Sequence, residues 1–293
     1  MWFRRLNLQR HETRSRGEAD LGTTGGMVPS APYPIDDELA EALPNTEPGV
    51  SASPMELRVR YRQTQQFKPT ADQLARNLVI GVGAPAEICS AYNRLRTQVI
   101  TRLQENRWST VAITSPSKFA GTTLTAINLA ISIAREYSYT VLLVELDLVN
   151  PSFGEIFGFK QRQGIVDHLL HDVPIPEILL NPGIDRLVVL PAGSPVINSS
   201  ELLSSPKMTR LVDELKRRYE QRIVLFDLPP ALNTDDAMAF SQFVDCALLV
   251  VGEGESRVDD VRRSLDYLRL TNILGIVLNR SVDTERDGKT ILR

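Results

Sequence analysis

The 293-residue chain is poor in several features that mark particular classes of protein. Its two cysteines, Cys89 and Cys246, are far apart and have no metal-ligand spacing, which argues against a disulfide-stapled secreted domain and against a zinc module. Its 33 basic and 36 acidic residues nearly balance, so no overall charge excess would recruit nucleic acid. No apolar run approaches the roughly 18 residues that cross a bilayer. We therefore expect a reduced, globular, cytoplasmic protein.

The composition changes along the chain. Residues 1–70 are rich in Gly, Pro, Ser, Thr and charged residues and have little of the apolar periodicity that a packed core needs. The first residues, MWFRRLNLQR, lack the apolar stretch and cleavage site of a signal peptide. We predict a mostly disordered arm over 1–70 and a folded domain over 71–293, led by a helix near Ala86, where apolar residues recur at helical spacing.

Short apolar runs alternate with segments of helical periodicity in the rest of the chain. The runs are Thr110 to Thr114, Thr140 to Leu146, Arg222 to Leu228, Cys246 to Glu253 and Ile273 to Asn279, with a shorter one at Arg186 to Gly193. Strands that are apolar nearly throughout are covered on both faces, and alternation with helices makes neighbouring strands parallel. The sequence thus predicts an α/β fold: a doubly wound, mostly parallel sheet in a three-layer α/β/α arrangement.

The first predicted strand leads into TSPSKFAGTTLTAINLA, which has the outline of a phosphate-binding loop at the start of a helix. Such loops have the spacing Gly, four residues, Gly-Lys-Ser/Thr, in which glycines let the backbone wrap the phosphates, lysine neutralises them and the hydroxyl binds magnesium. Gly121 and Thr123 fit the last glycine and the hydroxyl, but Thr122 occupies the position of the lysine. On its spacing alone, the loop is also compatible with a structural strand-to-helix turn.

Carboxylates end the next two predicted central strands. VELDLVNPS places Glu145 and Asp147 on one face of an extended strand end, and LFDLPP places Asp227 after four apolar residues. At the carboxyl edge of a parallel sheet these groups would lie beside the loop, where they can hold magnesium or accept a proton. Each one alone could instead cap a helix. Together with the loop they predict a P-loop NTPase-like nucleotide fold.

These motifs resemble those of the bacterial tyrosine kinases of capsule and exopolysaccharide biosynthesis, within the deviant phosphate-loop ATPases of the MinD and ParA type. The resemblance covers about Ser90 to Arg280. It is carried, in the family's order, by the phosphate loop and by VLLVELDLVNPS, LPAGSPVINSSELLSSPKM, RYEQRIVLFDLPPAL and GIVLNR. The third of these strings is the most distinctive, since few other nucleotide folds carry PAGS followed by SSELLSSP.

The resemblance implies ATP or ADP with Mg²⁺ as cofactor. It assigns catalytic roles to Glu145, Asp147 and Asp227, nucleotide binding to Lys118, Gly121, Thr122, Thr123 and Asn279, and magnesium binding to Thr123, Asp147 and Asp227. In this assignment Asn279 contacts the adenine. Members of the family assemble into rings, phosphorylate one another on a C-terminal tyrosine cluster, and work with a membrane adaptor that controls polysaccharide chain length.

Departures from the family pattern predict weakened phosphotransfer. The lysine is replaced by Thr122, and the tail SVDTERDGKTILR has no tyrosine. In the family, the helix before the first strand contacts neighbouring subunits through one Glu and two Arg residues, and only the last of these three is present here, as Arg96. Loss of a lysine that faces developing phosphate charge should slow the reaction roughly a thousandfold or more. Lys118, one residue from the family's additional lysine, is an alternative source of charge. Phe119 replaces a glycine, so we expect the loop to avoid a positive φ and to have a different shape.

We therefore predict a catalytically impaired member of the family that serves as a regulatory or binding subunit of an exopolysaccharide or capsule assembly system. Its expected partners are a membrane co-polymerase adaptor, which would place it at the inner membrane, and further subunits, either copies of itself or an active kinase. Two alternatives stay open: an active ATP-dependent tyrosine kinase or ATPase with a non-standard loop, and a ParA-like positioning ATPase. The last needs a basic nucleic-acid-binding surface, which the charge balance does not favour.

Overall fold

The computed structural model of the protein describes residues 64–81, 83–160, 163–217 and 221–281. In these residues the strands form one sheet with the order β1-β4-β5-β3-β6-β2-β7-β8. The strands are β1 Gln65–Gln66, β2 Thr110–Thr114, β3 Thr140–Glu145, β4 Leu180–Asn181, β5 Leu187–Leu190, β6 Arg222–Asp227, β7 Cys246–Gly252 and β8 Asn272–Asn279. Neighbouring strands are parallel except for β4 and β5, which are antiparallel.

Helices cover both faces of this sheet. They are α1 Ala71–Arg76, α2 Ala86–Asn106, α3 Thr122–Ala134, α4 Phe153–Phe157, α5 Ile165–His171, α6 Ile175–Ile178, α7 Ser199–Leu203, α8 Pro206–Arg217, α9 Asp236–Ser241 and α10 Val258–Tyr267. Along β2, Val111 and Ile113 face a cluster that contains the core residues of α2 and α3, whereas Ala112 faces the cluster of α5, α8 and α9. The predicted three-layer, mostly parallel α/β fold is confirmed.

Helix α3 is the central helix of one face. Every residue from Thr125 to Ala134 is buried, because this helix lies between α2 and the sheet, and a helix that is covered all round has no need of a polar stripe. It begins directly after Gly121, whose φ of +82° ends the preceding loop. Gly121 therefore marks the start of α3, and the predicted phosphate loop lies directly before it.

The domain begins earlier than residue 71. The predicted disordered arm falls mostly outside the described residues, but residues 64–70 are described and belong to the fold. The ring of Phe67 packs edge-on against Phe157 and Phe159, and its amide donates to the Asn181 carbonyl at 3.0 Å. Such a contact depends on tertiary partners about 90 residues away in the chain, which local composition does not reveal. The segment from residue 282 onwards, which contains no tyrosine, lies outside the described residues.

No helix in the described part of the chain combines the length and the apolar character that a bilayer crossing requires.

Candidate functional site

The loops that follow β2, β3 and β6 meet at the carboxyl edge of the sheet. Asp227, at the end of β6, pairs in register with Ile113 of β2 on one side and with Glu145 of β3 on the other. The Leu146 amide donates to the Asp227 carbonyl at 2.8 Å, which continues the ladder past the end of β3. The two predicted acidic strand ends and the predicted phosphate loop are therefore neighbours, as the strand pattern indicated.

The loop from Ser115 to Gly121 is tied to the segment that follows β6. The Ala231 amide donates to the Ser115 carbonyl at 2.8 Å, and the Thr114 hydroxyl donates to the Pro229 carbonyl at 2.7 Å. Inside the loop, the Ser115 hydroxyl donates to the Ser117 carbonyl at 2.9 Å. These bonds anchor the first residues of the loop to the segment that follows β6.

Asn279 fixes the other end of the loop. Its side-chain amide donates to the Ala120 carbonyl at 2.9 Å, and a Cβ added to Gly121 would lie 2.3 Å from the same Nδ2 atom. The positive φ therefore favours glycine at position 121, and any larger side chain there would also displace the Asn279 amide from the loop. The predicted contact of Asn279 with an adenine remains a prediction, and the structure gives the side chain a role in holding the loop.

Phe119 departs from our expectation about the loop. We expected this bulky residue to avoid a positive φ, but its φ is +67°. Its side chain is 77% exposed, so no neighbouring group opposes this conformation. The backbone energy of a left-handed non-glycine residue, about 1–2 kcal/mol, remains. The loop thus keeps the left-handed geometry that a glycine would give it, with an aromatic ring in solvent beside the site.

Asp227 is the most unusual group of the edge. It is fully buried, and neither carboxylate oxygen has a hydrogen-bond partner of normal geometry. Burial raises the pKa of this carboxyl well above its ordinary value, and the charges of Glu145 and Asp147 raise it further, while the nearby Thr123 hydroxyl lowers it. A buried pair of oxygens without a partner calls for a cation or a proton. Asp227 and Thr123 together are the oxygen donors that a magnesium ion prefers.

Asp147 is partly buried at the same edge of the sheet, and its charge acts on Asp227. Its Oδ1 accepts a hydrogen bond from the Asn150 amide at 2.9 Å. Burial raises its pKa, whereas the Asn150 bond and the positive charge of Lys118 lower it. Lys118 is exposed but close enough to act on this carboxyl. The part of the chain that the structure describes has no group of three His, Cys, Asp or Glu side chains arranged as metal ligands, so any magnesium here needs oxygens from phosphate and water as well.

Glu145 is occupied by the backbone. Its Oε1 accepts from the amides of Ser152 and Phe153, the latter at 2.7 Å, and its Oε2 accepts from the Ala192 amide at 3.0 Å. Burial raises its pKa, the three amide bonds lower it, and the charge of Asp147 raises it. The carboxylate joins the start of α4 to the loop after β5. This arrangement is the capping role that sequence reasoning left open for each carboxylate.

Glu145→Gln should destabilise the domain by about 2 kcal/mol, because the new NH₂ group would face a backbone amide that now has an acceptor. Urea unfolding of the full chain at pH 7 measures the change in the free energy of unfolding. Glu105→Gln, an exposed substitution on α2, is the matched control and should be neutral within about 0.5 kcal/mol. A variant as stable as the wild type would contradict the structural role of Glu145.

A fourth carboxyl group, Asp236, was missed. It is buried at the start of α9 and accepts from the Ser199 hydroxyl with both oxygens, at 2.8 and 2.9 Å. Burial raises its pKa, the hydroxyls of Ser199 and Thr234 lower it, and the charges of Asp147 and Asp235 raise it. In the sequence, two adjacent aspartates before a helical segment indicate only a helix N-terminus. The pair with Ser199 joins α7 to α9 and could not be found without the fold.

Comparisons with known proteins agree with this architecture. A family described as an AAA domain matches residues 110–250. Tyrosine-protein kinase CpsD of Streptococcus pneumoniae is 28% identical over 64% of this chain and 82% of its own length. Tyrosine-protein kinase YwqD of Bacillus subtilis is 28% identical over 72% of this chain and 89% of its own length. Among solved structures, the chimerical protein CapA2B2 superimposes with a TM-score of 0.63 at 26% identity, over 74% of this chain and 93% of that one.

Proposed function

We propose that this chain, which resembles the bacterial tyrosine kinases in sequence and in fold, is a catalytically impaired member that binds nucleotide weakly and acts as a regulatory or binding subunit in exopolysaccharide or capsule assembly. The observation that carries the proposal is Thr122, the first residue of α3, in the place where a phosphate loop has its lysine. In this proposal the chain works at the inner membrane through a co-polymerase adaptor, and in an oligomer with itself or with an active kinase.

The remaining parts of the edge fit ATP or ADP with magnesium. Gly121 has no side chain that could cap the amides of the first turn of α3, and amides at a helix N-terminus favour phosphate. The Thr123 hydroxyl and the buried, unpartnered oxygens of Asp227 are suited to hold magnesium, with Asp147 beside them. Bound magnesium would neutralise phosphate charge and would supply the cation that the Asp227 carboxylate lacks.

The missing lysine would act mainly on the rate of phosphoryl transfer. A threonine hydroxyl at position 122 carries no charge, so the transfer of a phosphoryl group would lose the fixed positive charge that stabilises its transition state. Backbone amides and magnesium still contribute to binding in the ground state. The expected combination is therefore weak nucleotide binding with very slow hydrolysis, which suits a subunit that responds to nucleotide but does not turn it over.

Calorimetric titration of the full chain with ATP and Mg²⁺ tests the binding half of the proposal. We expect Thr122→Lys to bind at least tenfold more tightly than the wild type, because a charge-assisted hydrogen bond to phosphate contributes about 1.5–3 kcal/mol. Thr122→Met, which adds length without charge, should not tighten binding. Tight, micromolar binding by the wild type that Asp227→Ala abolishes and Thr122→Lys leaves unchanged would overturn the proposal.

An active enzyme is the second candidate, and one observation favours it. The charge of Lys118 acts on Asp147, so its ammonium group lies within electrostatic range of the site. If Lys118 replaced the missing lysine, Lys118→Met would reduce ATP hydrolysis about a hundredfold, whereas Lys118→Arg would keep part of the activity. Under our proposal both variants hydrolyse ATP as slowly as the wild type.

A further inference from the structure

An apolar groove of about 350 Å³ lies between α1 and the beginning of α2, and no residue of the candidate site lines it. Its wall consists almost wholly of apolar side chains, including those of Pro69, Leu74, Leu78, Ile80, Ala84 and Ile88. Leu78 is 62% exposed and has a φ of +57°. A leucine in this conformation, with its side chain in water, is unfavourable both in its backbone and in its hydration.

The wall of the groove is held firmly by the core. On α3, Asn128 accepts a hydrogen bond from the Ile80 amide at 2.9 Å and donates one to the Leu78 carbonyl at 3.1 Å. Asn128 is itself buried. The hydroxyl of Tyr92, which is also buried, lies beside the Asn128 side chain. The apolar surface of the groove is therefore presented by a backbone that the core holds in place.

The chain itself supplies an occupant. We propose that the segment Ile35–Leu43, IDDELAEAL, docks in this groove as a short helix. Ile35, Leu39 and Leu43 recur every four residues, a spacing that predicts one apolar face on a docked helix. Proline precedes the segment and proline follows it, and its first turn is acidic, as helix boundaries and the helix dipole favour.

The geometry of the chain allows this docking. The described residues begin at 64, five positions before Pro69 in the wall of the groove. A linker of roughly 20 residues between the segment and that point has a root-mean-square reach of about 25 Å. It would hold the segment at an effective concentration on the order of 1 mM, so that an intrinsic dissociation constant of about 100 μM suffices for about 90% occupancy.

Charge separates this segment from the apolar-bearing stretch at the start of the chain, which also lies outside the described residues. Among the described residues, five exposed charged residues are next in sequence to a residue of the wall or hydrogen-bonded to one. Three of them are cations, Lys68, Arg76 and Arg135, and two are carboxylates, Asp72 and Glu87. The segment Ile35–Leu43 has four acidic residues and no basic one, whereas MWFRRLNLQR at the start of the chain has three arginines. Complementarity favours the acidic segment.

Hydrogen exchange of the full chain, read by mass spectrometry, tests the proposal in both directions. Leu39→Asp with Leu43→Asp should speed exchange in the peptide that contains α1 about tenfold, since the groove loses its cover. Leu78→Asp should speed exchange in the peptide that contains Ile35–Leu43 by a similar factor. Aspartate tolerates a positive φ better than leucine does, so Leu78→Asp removes the apolar surface without straining the backbone.

The controls decide the identity of the occupant. Leu270→Asp, at a leucine that is 69% exposed elsewhere on the surface, should change neither peptide, and neither should Trp2→Asp with Leu6→Asp. Dilution by a hundredfold should leave the protection unchanged, because docking within one chain does not depend on concentration. If the Trp2 and Leu6 variant exposes the groove, if protection is lost on dilution, or if the Leu39 and Leu43 variant has no effect, the proposal is wrong.

Discussion

Thr122→Lys should raise the rate of ATP hydrolysis by the full chain about a thousandfold over the wild type. The substituted side chain would start at the first residue of α3, beside Gly121, whose positive φ turns the loop toward the helix. Thr122 is only partly buried, so a lysine there has room to extend along the loop. Under the proposal, Thr123 and Asp227 would hold magnesium, and the lysine would add the one charge that the loop lacks.

The rate measurement must separate added charge from altered packing. Release of inorganic phosphate is followed at saturating ATP and Mg²⁺ for wild type, Thr122→Lys and Thr122→Met. The methionine variant should remain at the wild-type rate, and Asp227→Ala in the Thr122→Lys background should return the rate to that level. If Thr122→Lys is no faster than the wild type, the loss of lysine does not explain the expected slow turnover, and the shape of the loop at Phe119 becomes the cause to test next.

The fold follows from the sequence because its main signals are local. Five runs of buried strand residues separated by helical periodicity leave few alternatives to a covered parallel sheet. The two-residue strands β1 and β4 carry no periodicity of their own, and the antiparallel pairing of β4 with β5 is therefore invisible before the sheet is built. The same holds for Phe67, which joins the domain only through aromatic partners distant in sequence.

The site is only partly predictable, since a carboxylate at a strand end can have opposite roles. Glu145 and Asp227 look alike in the sequence, yet Glu145 receives three backbone amides and Asp227 receives none. The amides come from residues 152, 153 and 192, so their arrival depends on how two loops return to the edge. The difference in hydrogen bonding between the two carboxylates is a property of the folded chain.

Asp227→Asn should therefore stabilise the ligand-free domain at pH 7, because a buried neutral amide costs less to desolvate than a buried carboxylate without a partner, where the equivalent change at Glu145 destabilises it. The pKa of Asp227 is raised in the folded state, so the folded chain binds this proton more tightly than the unfolded chain does. Stability then falls as pH rises from the ordinary carboxyl pKa through the raised one. Asparagine does not titrate in this window, and the part of the fall that belongs to position 227 should disappear.

Urea unfolding between pH 4 and pH 8 measures this dependence, with Asp213→Asn, an exposed residue on α8, as the control that should follow the wild type. The pKa values of Glu145, Asp147 and Asp236 are also raised, so the variant should keep a shallower fall of the same sign.

The gain in stability would be accompanied by a loss, because a neutral amide is a poor magnesium ligand and the magnesium-dependent part of ATP binding should vanish. An Asp227→Asn variant that is less stable than the wild type at pH 7 would mean that the carboxylate is satisfied in the ligand-free protein, and a cation would no longer be needed to explain its place at this edge.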